Sequence, residues 1–455
     1  MLWCKDFRFA QQGKRVYVCA NLNKERKISE MFENLISKIQ VTDDSCGIGD
    51  VPGFAVAGTA CDIRGKQDAK RLDLALIYSK SPCTAAGTFT TNDVKAAPVV
   101  VSQSHLRNHA AGRAEMRGIV ASSGNANACT GERGMKDANE MCDFVAKMLS
   151  RKSEEFFVCS TGRIGVNLPM GKIEDGMRDA VRRLAPSPEE SARAAEAILT
   201  SDTHRKTCTV RFSVGAALGV VGGKTVTIAG MAKGAGMIEP NMATMFGLLA
   251  TDAKISQELL QKCLWRAVGQ SFNCVSVDGD MSTNDTVLIL ANGESGAEIT
   301  ESDPASVEIF REALEAVCMN LAKKIVGDGE KISRVVTLHV EGARSDAEAN
   351  KIARSIGNSL LVKASWCGGD PNWGRILCSA GYAKCGIDQT KIDLFYGDVP
   401  VFLKGELQAD NAAKWREIVG KKEFDIVLRL NLGTGKYRLI STDLTEAYVD
   451  FNKGE

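Results

Sequence analysis

The 455 residues predict an α/β or α+β protein, and three observations carry that expectation. Apolar runs of strand length recur along the chain from Val51 onward; runs with apolar residues every three or four positions alternate with them; short polar turns separate the two. A 44% hydrophobic content at this length can bury a large core, arranged in two or three structural units. The expected architecture is a layered body of sheets and helices with a second, smaller α/β lobe.

In chain order, residues 1–50 read as an N-terminal extension. Its Lys24–Lys27 run is followed by Ile28, Met31, Phe32, Leu35, Ile36 and Ile39 at helical spacing, a docking helix, and no signal-peptide core occurs in the first forty residues. Glu25, Glu30 and Glu33 argue against a plain organellar transit peptide. Leu72–Ser79 predicts a strand, the two prolines of Ala185–Glu190 a connection between helices or a lobe boundary, and Thr225–Gly230 another strand. After Thr244 an apolar run, Met-Phe-Gly-Leu-Leu-Ala-Thr, has strand length. Ser256 then caps a helix that buries Leu259, Leu260, Cys263, Leu264, Ala267 and Val268.

Val277–Leu290 alternates aspartates like a calcium loop, but Thr283 replaces the required glycine and Ile289 the required glutamate. It reads instead as a polar loop between two strands, held by Asx turns, or as part of a polar pocket lining. Its end leads into a strand closed by an Asn292-Gly293 turn. Asp303 caps and Pro304 opens a helix whose stripe is Val307, Phe310, Leu314, Val317, Leu321 and Ile325.

Net charge is +1, from 57 basic against 56 acidic residues, so no overall field favours nucleic acid or an anionic membrane, and small-molecule chemistry is the default. No apolar run reaches the ~18 residues of a membrane span. Fifteen cysteines without a CxxC pair read as buried thiols of a reducing compartment; Cys367, Cys378 and Cys385, the nearest thing to a cluster, have no histidine nearby in sequence, and no metal is expected. The four histidines are His105, His109, His204 and His339, the last in a strand pattern, which gives a Ser/His/Asp triad poor support.

The stretch Gly230–Ala253 sets the glycine-rich turn around Gly234 and Gly236 close before Thr244. A threonine hydroxyl needs a base, and cutting the chain between Ala243 and Thr244 would supply the residue's own α-amine. An ordinary turn leading into an ordinary strand is the competing reading. A phosphate loop is weaker, since neither GxxxxGK[ST] nor GxGxxG occurs here in its strand–helix setting.

Five separated motifs bear on that choice: SSGNANACTGERG at Ser122, STGRIGVNLPM at Ser160, Lys233–Thr251, VDGDMSTNDTV at Val277 and DPNWGRI at Asp370. Together, in this order, they resemble the ornithine acetyltransferases, or bifunctional glutamate N-acetyltransferases, over roughly Val51–Asn452. The resemblance implies an α/β fold of the N-terminal-nucleophile type, cleaved into an α chain, residues 51–243, and a β chain, residues 244–455. It implies acetyl transfer from N2-acetylornithine to glutamate in arginine biosynthesis. Carried over residue by residue, the nucleophile falls on Thr244, cleavage between Ala243 and Thr244, and the oxyanion pair on Thr161 and Gly162. Substrate contacts fall on Thr200, Lys233, Thr244, Glu330 and Asn452. Lys233 suits a substrate carboxylate and Glu330 the ornithine ammonium.

No cofactor is implied. Acetyl-CoA is a co-substrate only in family members that also start the pathway, and the residues read equally well for both kinds. The α and β chains are expected to stay associated, as a heterotetramer of two each. The expected location is cytoplasmic, or the mitochondrial matrix or plastid in a eukaryote. Three departures from the family pattern bear on the pocket: Ser122 replaces an asparagine, Lys331 follows Glu330, and the family's Tyr-x-Thr beyond Asn452 is absent before Glu455. They bear on which substrate binds and how tightly; Lys331 weakens a cation site by like charge if it faces Glu330 and does little if it faces solvent. The competing functions are an N-terminal-nucleophile aminopeptidase or amidase, with water as acceptor, and a catalytically decayed relative.

Overall fold

A computed structural model describes residues 40–42, 46–68, 70–215, 223–239 and 245–453. The proposed docking helix of the first forty residues, and both Ala243 and Thr244, lie outside the described residues. From Gln40 onward the chain forms one compact unit.

The first part of the chain supplies β1 (Gln40–Thr42), β2 (Phe54–Thr59), β3 (Leu74–Phe89), β4 (Met116–Asn125), β5 (Phe156–Arg163), β6 (Lys206–Val214), β7 (Lys224–Lys233) and β8 (Phe246–Thr251). A short β9 (Lys254–Ile255) precedes β10 (Thr286–Ala291) and pairs with β11 (Glu298–Ile299). Nine of these strands make one sheet in the order β1-β6-β7-β8-β10-β3-β4-β5, with β2 added on β3. Gln40–Thr42, inside the expected extension, already pairs with β6. The division expected at residues 243 and 244 falls between β7 and β8, neighbours in this sheet.

β3 joins the two halves of the sheet. Its first residues, Leu74–Ser79, pair with β2, and Thr84–Phe89 pair with β10. The strand expected at Leu72–Ser79 is therefore half of a longer one. Lys80, Ser81 and Pro82 break the apolar pattern but not the strand, because a register shift between Tyr78 and Cys83 absorbs them.

Helices cover the sheet as the patterns require. α1 (Ala97–Ala110), α2 (Gly131–Met148), α3 (Met170–Arg183) and α4 (Pro188–Ala197) follow the early strands, and the proline-rich Ala185–Glu190 does connect α3 to α4. α5 (Gln257–Gln270) starts at Ser256, whose hydroxyl accepts from the Leu259 N–H, and buries all six expected residues. α6 (Pro304–Gly327) starts at Asp303, whose carboxylate accepts from the Ser306 N–H. It packs on β6 and β7. Of its expected stripe only Val307 is left half-buried.

The smaller lobe is a six-stranded sheet of β12 (Val335–Ala343), β13 (Asp393–Tyr396), β14 (Val399–Leu403), β15 (Glu406–Leu407), β16 (Glu423–Arg429) and β17 (Gly435–Thr442), in the order β15-β14-β13-β16-β12-β17. Along β12 Val336, Leu338 and Val340 are buried while Val335, Thr337 and His339 are half-buried, the period of two that a one-sided sheet demands. α7 (Asp346–Gly357) packs against β12 and β17. α8 (Leu360–Cys367), α9 (Trp373–Tyr382), α10 (Ala412–Val419) and a terminal α11 (Glu446–Asn452) complete the chain. The Val277–Leu290 loop follows a helical turn at Phe272–Cys274 rather than a strand, and Val275 makes an isolated bridge to Ile440 of β17.

Asp252, just past β8, is 2% exposed, and its Oδ1 accepts the Thr227 N–H at 2.8 Å. Burial raises its carboxyl to about 6, a rise that hydrogen bonds from the backbone only partly offset. An acid whose folded pKa lies above its unfolded ~3.9 makes stability fall as pH rises between those two values. Asp252→Asn keeps the acceptor and removes the charge. It is expected to stabilise the fold by about 1–2 kcal/mol at pH 7 and by nothing at pH 4, read from urea melts at both.

Candidate active site

The site lies where four strand ends meet. Thr286 of β10 is registered against Phe246 of β8, and Phe246 against Lys233 of β7; the Met245 carbonyl, at the start of β8, accepts the Thr286 N–H at 3.1 Å. The end of β5 comes to the same place: Lys233 Nζ donates to Thr161 Oγ1 at 3.2 Å, both residues being 8% exposed. Thr161 is followed by Gly162 at φ +131°, opposite Gly124 in the β4–β5 ladder, which shifts register there. A Cβ at 162 would sit 2.4 Å from the Gly124 carbonyl carbon, so only glycine fits this approach. Asn284 pins the same corner, its amide nitrogen donating to the carbonyls of Ala126 and Ser160.

Behind Lys233 lies a buried ionic cluster. Asp202 Oδ1 accepts from Lys206 Nζ and from the Gly234 N–H, both at 2.6 Å, and Oδ2 accepts from the Thr200 N–H at 3.0 Å. Thr200 Oγ1 lies 3.5 Å from the same carboxylate. Lys206 also donates to Asp328 Oδ2 at 2.6 Å. The side chains of Lys206 and Asp202 have no exposed surface, so each charge requires its partners. Burial alone would raise the Asp202 carboxyl, but Lys233 and Lys206 hold it down at about 2. Burial lowers the Lys233 ammonium below the usual lysine range; Lys206 pushes the same way, and Asp202, Asp285 and Glu330 oppose it.

The glycine-rich turn is fastened from two sides. Asp278 accepts the Met237 and Ile238 N–H groups at 2.7 and 2.8 Å, and also the Asp280 N–H in an Asx turn. Burial raises its carboxyl, against those same backbone donors. Glu330, whose N–H reaches the Ala235 carbonyl at 3.0 Å, lays its carboxylate on Gly236, where a Cβ would lie 2.3–2.4 Å from its atoms. Asn452 Nδ2 donates to Glu330 Oε2 at 3.3 Å. Lys331, in the left-handed region at φ +54°, turns its ammonium to the Phe451 ring at 5.1 Å. Ser122 is buried and donates to Ser160 Oγ at 3.0 Å.

A family model described as the ArgJ family matches residues 55–454. The chain belongs to the ArgJ family. The arginine biosynthesis bifunctional protein ArgJ of Symbiobacterium thermophilum is 43% identical over 406 residues, 89% of this chain and 97% of that protein. Its counterpart in Geobacter sulfurreducens is 42% identical over 404 residues, 89% and 98% of the two. A crystal structure of ornithine acetyltransferase complexed with ornithine, from Mycobacterium tuberculosis, shares 35% identity, spanning 45% of this chain and 100% of that one with a TM-score of 0.39.

Within this ArgJ-family chain, Thr161, Gly162, Thr200, Lys233, Glu330 and Asn452 fall into one connected group. Thr161 meets Lys233 directly, Thr200 is bonded to Asp202, which also holds the Gly234 N–H directly after Lys233, and Asn452 joins Glu330, whose N–H reaches Ala235 of the same turn. Asp202, Lys206, Asp278, Asn284 and Asp328 were not singled out as site residues from sequence, although Asp202 stands two positions after Thr200 and Asp278 opens a loop considered for a pocket lining. Among the described residues no group of three or more His, Cys, Asp or Glu side chains is placed to hold a metal ion, Cys367, Cys378 and Cys385 included.

Proposed function

We infer that this chain is an acyltransferase of arginine biosynthesis that cuts itself before Thr244 and carries acetyl from N2-acetylornithine to glutamate. The observation that carries the reading is membership of the ArgJ family over residues 55–454, whose curated relatives are named for arginine biosynthesis. In the first event Thr244 Oγ attacks the Ala243 carbonyl carbon, the peptide shifts to an ester, and water hydrolyses the ester, leaving Thr244 with a free α-amine. That amine then takes the hydroxyl proton as Oγ attacks the acetyl carbonyl of N2-acetylornithine. The C–N bond breaks, the proton passes to the departing ornithine amine, and acetyl stays on Thr244. The glutamate amine attacks this ester in turn, and Thr244 Oγ regains a proton.

In this reading Thr161 Oγ1 and the Gly162 N–H receive the developing oxyanion, Thr200 and Lys233 border the acyl group and carboxylate of the substrate, and Glu330 with Asn452 takes the side-chain ammonium. The tie between Lys331 and Phe451 supports keeping that ammonium site, since it draws the lysine charge toward the ring rather than toward Glu330. We further propose acetyl-CoA as a second acyl donor, in keeping with relatives described as bifunctional. Among the described residues no helix is long and apolar enough to cross a membrane.

Association of the two fragments is supported by the strand order. β8 and β10, from beyond residue 244, lie between β7 and β3 from before it, so each fragment is bound along two ladders. Cleavage is expected to give fragments of 243 and 212 residues that co-elute in buffer and separate in denaturant, two of each to the assembly. Light scattering and intact mass check this. Incubation with N2-acetylornithine and glutamate is expected to yield ornithine and N-acetylglutamate in equal amounts. Ornithine with no N-acetylglutamate would mean that water is the acceptor and the chain a hydrolase.

A further inference from the structure

We propose that Asp202 is a positioning residue for acyl transfer: it keeps Lys233 an ammonium, and that ammonium fixes which way the Thr161 hydroxyl donates. The inference rests on the reading of Thr161 as an oxyanion donor. An ammonium has three donors and no acceptor, whereas a neutral amine can accept. With Lys233 charged, the 3.2 Å contact must run from Nζ to Thr161 Oγ1, and the threonine's own proton is left to point elsewhere. With Lys233 neutral, Thr161 could donate to the amine instead, and its proton would be lost to a carbonyl oxygen becoming negative. The protonation state of a lysine thus sets the polarity of the hydroxyl beside it.

Lys233 sits in a place that disfavours charge. It is 8% exposed, and Lys206 adds a second cation nearby. The groups facing it are Asp202 and Lys206 around the start of β6, Asp285 before β10, and Glu330 after α6; Asp328 faces Lys206. Of the anions, Asp202 is the strongest influence on Lys233, and it is bonded to the next residue in the chain through the Gly234 N–H at 2.6 Å. Four groups converge on its two oxygens: Lys206, the Gly234 N–H, the Thr200 N–H and the Thr200 hydroxyl. Two aspartates and two lysines then balance in a largely buried region. The bond to Gly234, the residue after Lys233, also holds the end of β7, so one carboxylate sets both the position and the charge of the lysine. The same carboxylate ties Thr200 to the glycine-rich turn at Gly234, 34 positions later, which neither segment could do alone.

The test is the pH profile of acetyl transfer per cleaved chain, measured from pH 6 to 10 with N2-acetylornithine and glutamate. The wild type is expected to lose activity on the alkaline side as Lys233 deprotonates. Asp202→Asn is expected to move that limb down by about one pH unit or more and to lower kcat at pH 8 by about tenfold or more. Lys206→Met, which removes the neighbouring cation, is expected to move the limb the other way. Lys233→Met, which has no ammonium to lose, is expected to show low transfer with no alkaline limb. An Asp202→Asn protein with wild-type Tm and wild-type pH profile would overturn the inference. If that variant does not fold, an alkaline limb unchanged in Lys233→Met overturns it equally. Wild type that makes no N-acetylglutamate at any pH defeats the transferase reading instead, and so the two failures are separable.

Discussion

Thr244→Ala is expected to leave the chain in one piece and to abolish acetyl transfer, a loss on the order of 10⁴-fold or more. Both effects follow from one atom. The hydroxyl that opens the Ala243 peptide is the hydroxyl that later holds acetyl, and the amine that serves as its base does not exist until the first reaction is done. Thr244→Ser keeps the oxygen and loses a methyl group, so it is expected to cut and to transfer, more slowly in both. The outcome is read by intact mass over days at 25 °C and by N-acetylglutamate formation. If the alanine variant still yields fragments of 243 and 212 residues, another protein does the cutting. If it is cut and inactive, only the transfer role of Thr244 survives. Both flanks of the segment are firmly held in either case: Glu239 pairs with Arg354 of α7, and Met245 is buried at the start of β8.

What could be read from sequence was what depends on neighbours in sequence. Ser256 and Asp303 each cap a helix through an N–H three residues on, and the burial of α5 and α6 follows a period of under four residues, so both were legible. β3 was half legible, because a register shift that accommodates Pro82 needs β4 beside it and leaves no local mark. The site was legible only through five motifs matched together. Thr161 and Lys233 are 72 residues apart, and no spacing rule predicts that their side chains meet at 3.2 Å. Asp202 shows the same limit more sharply. Its carboxylate matters because Lys206 of β6 and the N–H after the end of β7 converge on it, while Lys206 also reaches Asp328 at the end of α6, and taken alone it is one acid in a polar turn. Adjacency alone left open whether Lys331 faces Glu330 or solvent; its direction follows from a left-handed backbone at Lys331 and from the ring of Phe451, 120 residues away.

Gly162→Ala is expected to be the most damaging substitution of a residue that does no covalent chemistry. At φ +131° an L side chain is strained wherever it stands. Here the new methyl group would also meet backbone: 2.4 Å from the Gly124 carbonyl carbon, 2.6 Å from the Asn125 nitrogen and 2.8 Å from the Gly124 Cα. None of these is the movable end of a side chain, so the β4–β5 ladder has to part at this point. Thr161 is the residue next door, and its 3.2 Å contact with Lys233 would be the first to go, along with the alignment of the Gly162 N–H itself. Stability should fall by about 2–4 kcal/mol. Cleavage and transfer should both slow by about a hundredfold or more, the size of the loss when an oxyanion donor is displaced. Gly171→Ala is the control, in the first turn of α3 with nothing within 4 Å of its new methyl group, and it should match the wild type in all three measurements. Stability and chemistry are separated by assaying well below the Tm of the Gly162 variant. There, the folded variant should still process and transfer slowly; wild-type rates from a folded Gly162→Ala protein would remove Thr161 and Gly162 from the mechanism.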